Sequence, residues 1–454
     1  MREFRILSPT AILGYGFPKA SFDEGMSRKP HVIAVDAGST DPGPYYLGSG
    51  KSFTDRNGVK RDLEFMITAG CEAGIPVIVG SSGGSGAQSH LDWNVEIIKE
   101  IAAERGLSFK MAIISAQIDK NIILNALDKG ELQALPSAPV PNREDIEQST
   151  NIVAQMGVEP FIAALEQGAQ VIVAGRAYDP AVFAALAIKE GYDHGLAIHM
   201  GKILECAAIA ANPGSGSDCM FGYLRDDCFE LDTLNEARKC TTLSVAAHTL
   251  YEKSNPTKLP GPGGILDLSE TTFEQASETS VIVRGSRHIE NGEYFVKLEG
   301  AKKIGCRTVS FAATCDPIML AQLDNTVAAV KERVSANFEG IGEFFLDFKV
   351  YGQNGAGFFG EEKGEIPEVG IIIESVASTP ELADTICSFA RSSLLHFGYP
   401  GRKSTAGNLA FPFSPSDFRA GDVYEFSVYC LLPSPDPCQY FPITIVEIEK
   451  GAAK

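Results

Sequence analysis

Short runs of β-branched and aliphatic residues recur along the first half of the chain, and each ends in a cluster of small and polar residues. Residues 31–36 are followed by Ala-Gly-Ser-Thr-Asp, residues 76–80 by Ser-Ser-Gly-Gly-Ser-Gly, and residues 171–175 by Arg176, Ala177, Tyr178 and Asp179. Between them lie stretches with the period of amphipathic helices. One is 62–73, with Leu63, Met66, Ile67 and Gly70 on a stripe; others are 93–105, with Val95, Ile98, Ile101 and Ala102, and 160–167. Residues 109–115 read as a further strand. This alternation with short connections predicts an α/β fold, a mostly parallel sheet with flanking helices, whose ligands sit at the carboxyl edge of the strands.

Near Asn212 the texture changes. Beyond the Gly- and Ser-rich segment 213–217 the predicted strands (280–283, 293–298, 307–313, 344–351, 371–376 and 425–431) are less regularly interleaved with helices, which are expected at 320–336 and 381–396. The pattern divides into an α/β domain at 1–212, an α+β domain at 213–355 and a small C-terminal α+β domain at 356–454.

Composition narrows the function classes. The chain has 454 residues, 44% hydrophobic and 21% charged, with a formal net charge of −19. That charge, without any run of Lys and Arg, argues against a nucleic-acid partner. No apolar stretch approaches the roughly 20 residues of a membrane span, and the opening Met-Arg-Glu-Phe-Arg-Ile lacks the features of a secretory signal, so no membrane partner and a cytoplasmic location are expected. Ten cysteines are scattered without a C-x-x-C pair, which predicts reduced thiols and no structural zinc.

Four places carry candidate chemistry. The 80–86 loop, with Ser81, Ser82, Gly83 and Gly84 at its centre, offers amides unobstructed by side chains and reads as an anion nest before a helix; the alternative is a tight turn. Arg176 follows a buried strand and needs a partner, either a substrate carboxylate or an internal one, Asp36 or Asp179. Asp179, before Pro180, also fits a helix start. Asp36 and Asp41 end the first strand and begin its loop, where a general base or a cation ligand is placed. Glu205 interrupts an apolar helix expected at 203–211, either as a functional acid or as the partner of Lys202 three residues earlier. Cys206 among Ala and Ile reads as an inert thiol. His90, His199 and His396 lie near loops or these segments, and no histidines have the spacing of a helical metal pair.

The 80–86 string, the segment from Gly168 to Arg176 with Asp179, residues 201–206, Leu250-Tyr251-Glu252 and Tyr351-Gly352 resemble, in order and separation, the acyclic terpene utilisation protein A family, a domain of unknown function (DUF1446). The tail, through 403–407 and 423–428, resembles a second small domain (DUF4387), although Thr405 stands where Asn is usual. The resemblance implies a fusion of two partners and the catabolism of branched carboxylic acids or their CoA thioesters, without supplying a mechanism.

These readings converge on a lyase of the hydratase or dehydratase kind, acting on a small branched or hydroxy carboxylate or its CoA thioester. Asp36 and Glu205 are the expected base and acid, with Tyr251 as an alternative acid. Ser81, Ser82, Gly83, Gly84, Arg176 and Asp179 are expected to bind substrate, joined by Lys403, Ser404 and Thr405 from the tail. No cofactor is obligatory; a divalent cation, if used, would sit on Asp36, Asp41 and Glu205, as in a metal-dependent carbon–carbon lyase of 3-hydroxyacyl compounds. A non-catalytic acyl-binding subunit is the reading from another class, and a homo-oligomer is compatible with all three.

Overall fold

The apolar runs of the first half form the centre of a ten-stranded sheet. In the computed structural model, which describes residues 2–251, 255–352, 368–403 and 405–449, five parallel strands lie in the order Phe4–Ser8, Val32–Asp36, Val77–Gly80, Val171–Ala174 and Phe109–Ile114. Antiparallel strands extend both edges: Met220–Leu224, Cys228–Thr233, Ser280–Arg284 and Thr272–Gln275 beyond the first, and Ile443–Ile448 beyond the last.

Alternation along the parallel strands builds a core on each face. Val32, Ala34, Ile78, Ile172 and Ala174 point to one face and pack with the helices Asp179–Lys189 and His194–Leu204. Ile33, Val35, Val77, Val79, Val171 and Val173 point to the other, under Arg56–Ala73 and Gln88–Arg105. Side chains of successive strand residues take opposite faces, so a strand covered on both sides must be apolar throughout. Arg56–Ala73 starts ahead of the expected 62–73 because Asp55 caps the amides of Asn57 and Gly58, and it ends at Gly74 in the left-handed conformation.

The chain divides into two units, Met1–Lys302 with Phe426–Lys454, and Lys303–Glu425. Neither 212 nor 355 ends a unit. The strands after Asn212 pair back onto Phe4–Ser8, and Ile443–Ile448 pairs with Phe109–Ile114, so both segments are bound into the first sheet by backbone hydrogen bonds. In the second unit, Phe344–Tyr351 and Cys306–Thr314 pair antiparallel to Val369–Ala377, and the helices Leu323–Asn337 and Pro380–Leu395 contribute to its core.

Two expected elements take another form. The strands expected at 293–298 and 307–313 are one continuous strand, Phe295–Thr314. The apolar helix expected at 203–211 instead ends at Leu204, whose carbonyl accepts the Ser8 hydroxyl at 2.6 Å, and a 3₁₀ turn follows at Ala207–Ala210. Glu205 therefore stands at a break in the helix.

Candidate active site

Three strand ends of the parallel sheet meet, as the pattern of their loops predicts. Ala37 N–H donates to the Gly80 carbonyl at 3.0 Å, and Ser81 N–H donates to the Gly175 carbonyl at 3.0 Å. Beside this junction lies a cleft of about 280 Å³ lined by Asp36, Asp41, Asp179, Glu205, Cys206 and Tyr251, with Ile12, Tyr15, Phe53 and Ile209 among its apolar walls. A larger cavity of about 660 Å³, bounded by residues 137–142 and 426–429, also includes Asp41 in its lining. Sequence reasoning placed the five acidic and phenolic groups together; it missed the apolar wall, which comes from Ala11 to Tyr15 and from Phe53, in loops with no periodic signal.

Asp36 is the deeply buried carboxyl at the end of its strand. It is 4% exposed; its Oδ2 accepts from Gly38 N–H at 3.1 Å, while Oδ1 is buried without a hydrogen bond in good geometry. Burial, then the charge of Asp179, push its carboxyl well above the usual carboxylate range, and Arg176, Ser81 and Gly38 offset this only partly. Gly80 makes room for that oxygen: a Cβ there would stand 2.7 Å from Asp36 Oδ1 and 2.3 Å from Val182.

Glu205 bonds through Oε1 to the ammonium of Lys202, which is 1% exposed. Burial works against the Lys202 charge, but contact with Glu205 outweighs it, helped by Cys206 and Asp179, and holds its pKa above the ordinary lysine value. The Lys202 ammonium also lies 5.6 Å from the centroid of the half-exposed Tyr251 ring. Tyr178, half-buried, has its phenol pushed up by burial and by Glu205 and Asp179.

Arg176 does not line the cleft. The substrate carboxylate expected as its partner is replaced by internal ones: Nε donates to Glu299 Oε2 at 2.8 Å, and Nη1 to Asp179 Oδ1 at 2.7 Å, the Ala177 carbonyl at 2.8 Å and Ser81 Oγ at 3.1 Å. Glu299 is completely buried, and although burial raises its pKa, Arg176 and Lys297 hold it down to about 2. The sequence hid Glu299, because Val296-Lys297-Leu298-Glu299 alternates like any half-exposed strand; here both faces are covered.

The anion nest expected at 80–86 is closed. Every residue of the loop is buried. The amides of Ser81, Ser82, Gly84 and Gly86 donate to the carbonyls of Gly175, Ala174, Ser81 and Ser82. Ser81, Ser82, Gly83 and Gly84 thus serve a tight crossing of backbones rather than the lining of the cleft. Small residues are required because the loop passes against Gly175 and Arg176: a Cβ on Gly86, whose φ is +68°, would stand 2.0 Å from the Arg176 nitrogen.

Asp179 opens its helix as foreseen, with Pro180 in the first turn, but Tyr178 occupies the cap position and the Asp179 carboxylate is turned to Arg176. His199 is a satisfied core residue, bonded to Ser286 at 2.6 Å and Thr249 at 3.0 Å, and burial lowers its pKa to about 3. Burial also lowers His90, to about 4, while His396 is exposed. Lys403 and Thr405 are exposed residues of the second unit; Ser404 and Glu252 lie outside the described residues. Among the described residues no three or more of His, Cys, Asp and Glu are grouped to hold a metal ion, so the cation site expected on Asp36, Asp41 and Glu205 is not preformed.

Residues 56–215 match the family model described as acyclic terpene utilisation family protein AtuA. Over this stretch, about a third of the chain, the sequence is similar to that family. The matched segment contains the closed 80–86 loop, Arg176, Asp179, Lys202 and Glu205, whereas Asp36, Tyr251, Lys297 and Glu299 lie outside it. Searches of curated proteins and of solved structures return no match. No described helix is long and apolar enough to cross a membrane.

Proposed function

We propose that the protein is a hydro-lyase acting on a small branched or hydroxy acyl substrate. Asp36 is the acid, protonating the departing β-hydroxyl, and Glu205 with its Lys202 partner is the base that takes the α-proton, the reverse of the roles expected from the sequence; the carbon–carbon double bond forms as water leaves, and the reverse sequence is hydration. The supporting observation is one cleft with two carboxyl groups in opposed environments: Asp36 biased by burial toward its protonated form, Glu205 held against an ammonium. Such separation of two acids is how acid and base roles are divided at one pH.

The lining favours the thioester over the free acid. Asp36, Asp41, Asp179 and Glu205 all border the cleft, and the nearest guanidinium is committed internally. An uncharged acyl end avoids the repulsion that a free carboxylate meets there, and the larger cavity reached past Asp41 offers room for the remainder of a long substrate. The test is α-proton exchange in D₂O, followed by proton NMR over a panel of short 3-hydroxyacyl and 2-enoyl thioesters and the corresponding free acids. Exchange with thioesters that is lost in Glu205→Gln is expected; tight binding with no exchange or turnover on any member would instead make the protein an acyl-binding module.

A further inference from the structure

Away from the cleft, the turn at 260–263 borders a small, partly open cavity of about 180 Å³. Its wall is mostly apolar, from Leu135, Pro260, Pro262, Phe295 and Leu431, and it has one cation, Lys297. The Lys297 ammonium is ion-paired with Glu299 Oε1 at 2.7 Å and donates to the Tyr429 hydroxyl at 3.3 Å. An ammonium has three N–H donors, so one remains uncommitted among the described residues. Gln155, buried in the same wall, brings an amide, and Glu293, the wall's carboxylate, is exposed to solvent, where its repulsion is screened.

We propose that this cavity is a second binding site, for a short-chain monocarboxylate whose anionic end meets Lys297 and whose alkyl body fills the apolar wall. Its volume equals about six water molecules at roughly 30 Å³ each, the size of a four-carbon acid. The site is wired to the cleft by ion pairs: Lys297 to Glu299, Glu299 to Arg176 at 2.8 Å, and Arg176 to Asp179 at 2.7 Å. The turn itself packs on Tyr178, whose ring is 3.0 Å from where a Cβ on Gly261 would stand. A carboxylate at Lys297 competes with Glu299 for that ammonium, so its charge is transmitted toward Asp179.

The probe is butyrate, measured by calorimetry and ligand-observed NMR on the full chain, with butanol as the uncharged control. Saturable binding of butyrate but not butanol is expected, weakened about tenfold or more by Lys297→Met, which removes a charge-assisted hydrogen bond, and by Leu135→Trp, which fills the volume. Should Lys297→Met fail to fold, Leu135→Trp decides alone, since it leaves the ion pairs intact. The proposal falls if butyrate does not bind, if butanol binds equally well, or if binding survives Leu135→Trp and is lost in Glu205→Gln, which would place it in the cleft. Because no turnover is read, failure here leaves the hydro-lyase reading standing.

Discussion

Two buried ion-pair systems lie on either side of Asp179, and they do different work with the same chemistry. Arg176 with Glu299 is sealed: Glu299 is completely buried, its oxygens are paired with Arg176 and Lys297, and Arg176 donates to four acceptors. Lys202 with Glu205 is equally buried on the lysine side, but its carboxylate borders the cleft and sits at a broken helix end. A sealed pair is a structural post whose removal leaves uncompensated charge; a pair that opens on a cleft can exchange a proton with a ligand. The distinction rests on what each carboxylate faces, not on residue type or pKa.

The largest difference between the two appears on truncating one member. Arg176→Met leaves Glu299 in the interior with one cation removed, and breaking a buried pair in this way costs about 3–5 kcal/mol. Urea denaturation is expected to show that loss, or no folded protein. Arg176→Lys keeps the charge but cannot hold Glu299, Ser81, Ala177 and Asp179 together, so it too lowers stability, by about 1–3 kcal/mol. A variant with unchanged denaturation midpoint and lost exchange would instead restore Arg176 as a substrate clamp.

Glu205→Gln sharpens the other half. The substitution keeps shape and an acceptor for Lys202, so most stability is retained, while α-proton exchange is expected to fall by about 10²- to 10⁴-fold, the usual contribution of a general base. Equal exchange in the variant would reduce the Lys202–Glu205 pair to a post like its neighbour.

Smaller and opposite in sign are the pH effects. Glu299 is held below its unfolded pKa, so its stabilisation is complete above that unfolded value and is lost as pH falls toward about 2. Asp36 is raised, so the folded state binds its proton more tightly than the unfolded chain, and stability falls as pH rises from the unfolded carboxylate value through the folded one. Asp36→Asn is therefore expected to stabilise the protein above that window by about 0.5–2 kcal/mol and to leave it nearly unchanged at pH 3, while abolishing exchange. Equal melting temperatures for wild type and variant across pH 3–9 would mean that Asp36 bears no burial penalty.

How legible all this was depended on the range of the interaction. The parallel strands and the helices at Arg56–Ala73 and Gln88–Arg105 followed from period and Gly punctuation, because each is decided by residues within a few positions. Asp36, Asp179 and Glu205 were legible as acids standing where an apolar pattern stops. Glu299 and Lys297 were not, since alternation in Phe295–Thr314 says which side chains share a face but not that another segment buries it. The domain boundaries failed for a similar reason: edge strands that return to a sheet from more than 200 residues away leave no local mark.

The 80–86 loop supplies the smallest and most discriminating effect. Its seven small residues read as an anion nest, with a tight turn as the alternative, and the structure commits the amides of Ser81, Ser82, Gly84 and Gly86 internally. Ser82 Oγ is buried without a hydrogen bond in good geometry. A buried hydroxyl in that state costs desolvation and returns little, so Ser82→Ala is expected to leave exchange unchanged and to raise stability by up to about 1 kcal/mol. An anion nest predicts the reverse, because its serines would face the ligand: melting temperature constant, exchange down by about tenfold, the equivalent of 1.4 kcal/mol. Thermal melts and the D₂O assay on this one variant separate a loop that serves the fold from one that serves the substrate.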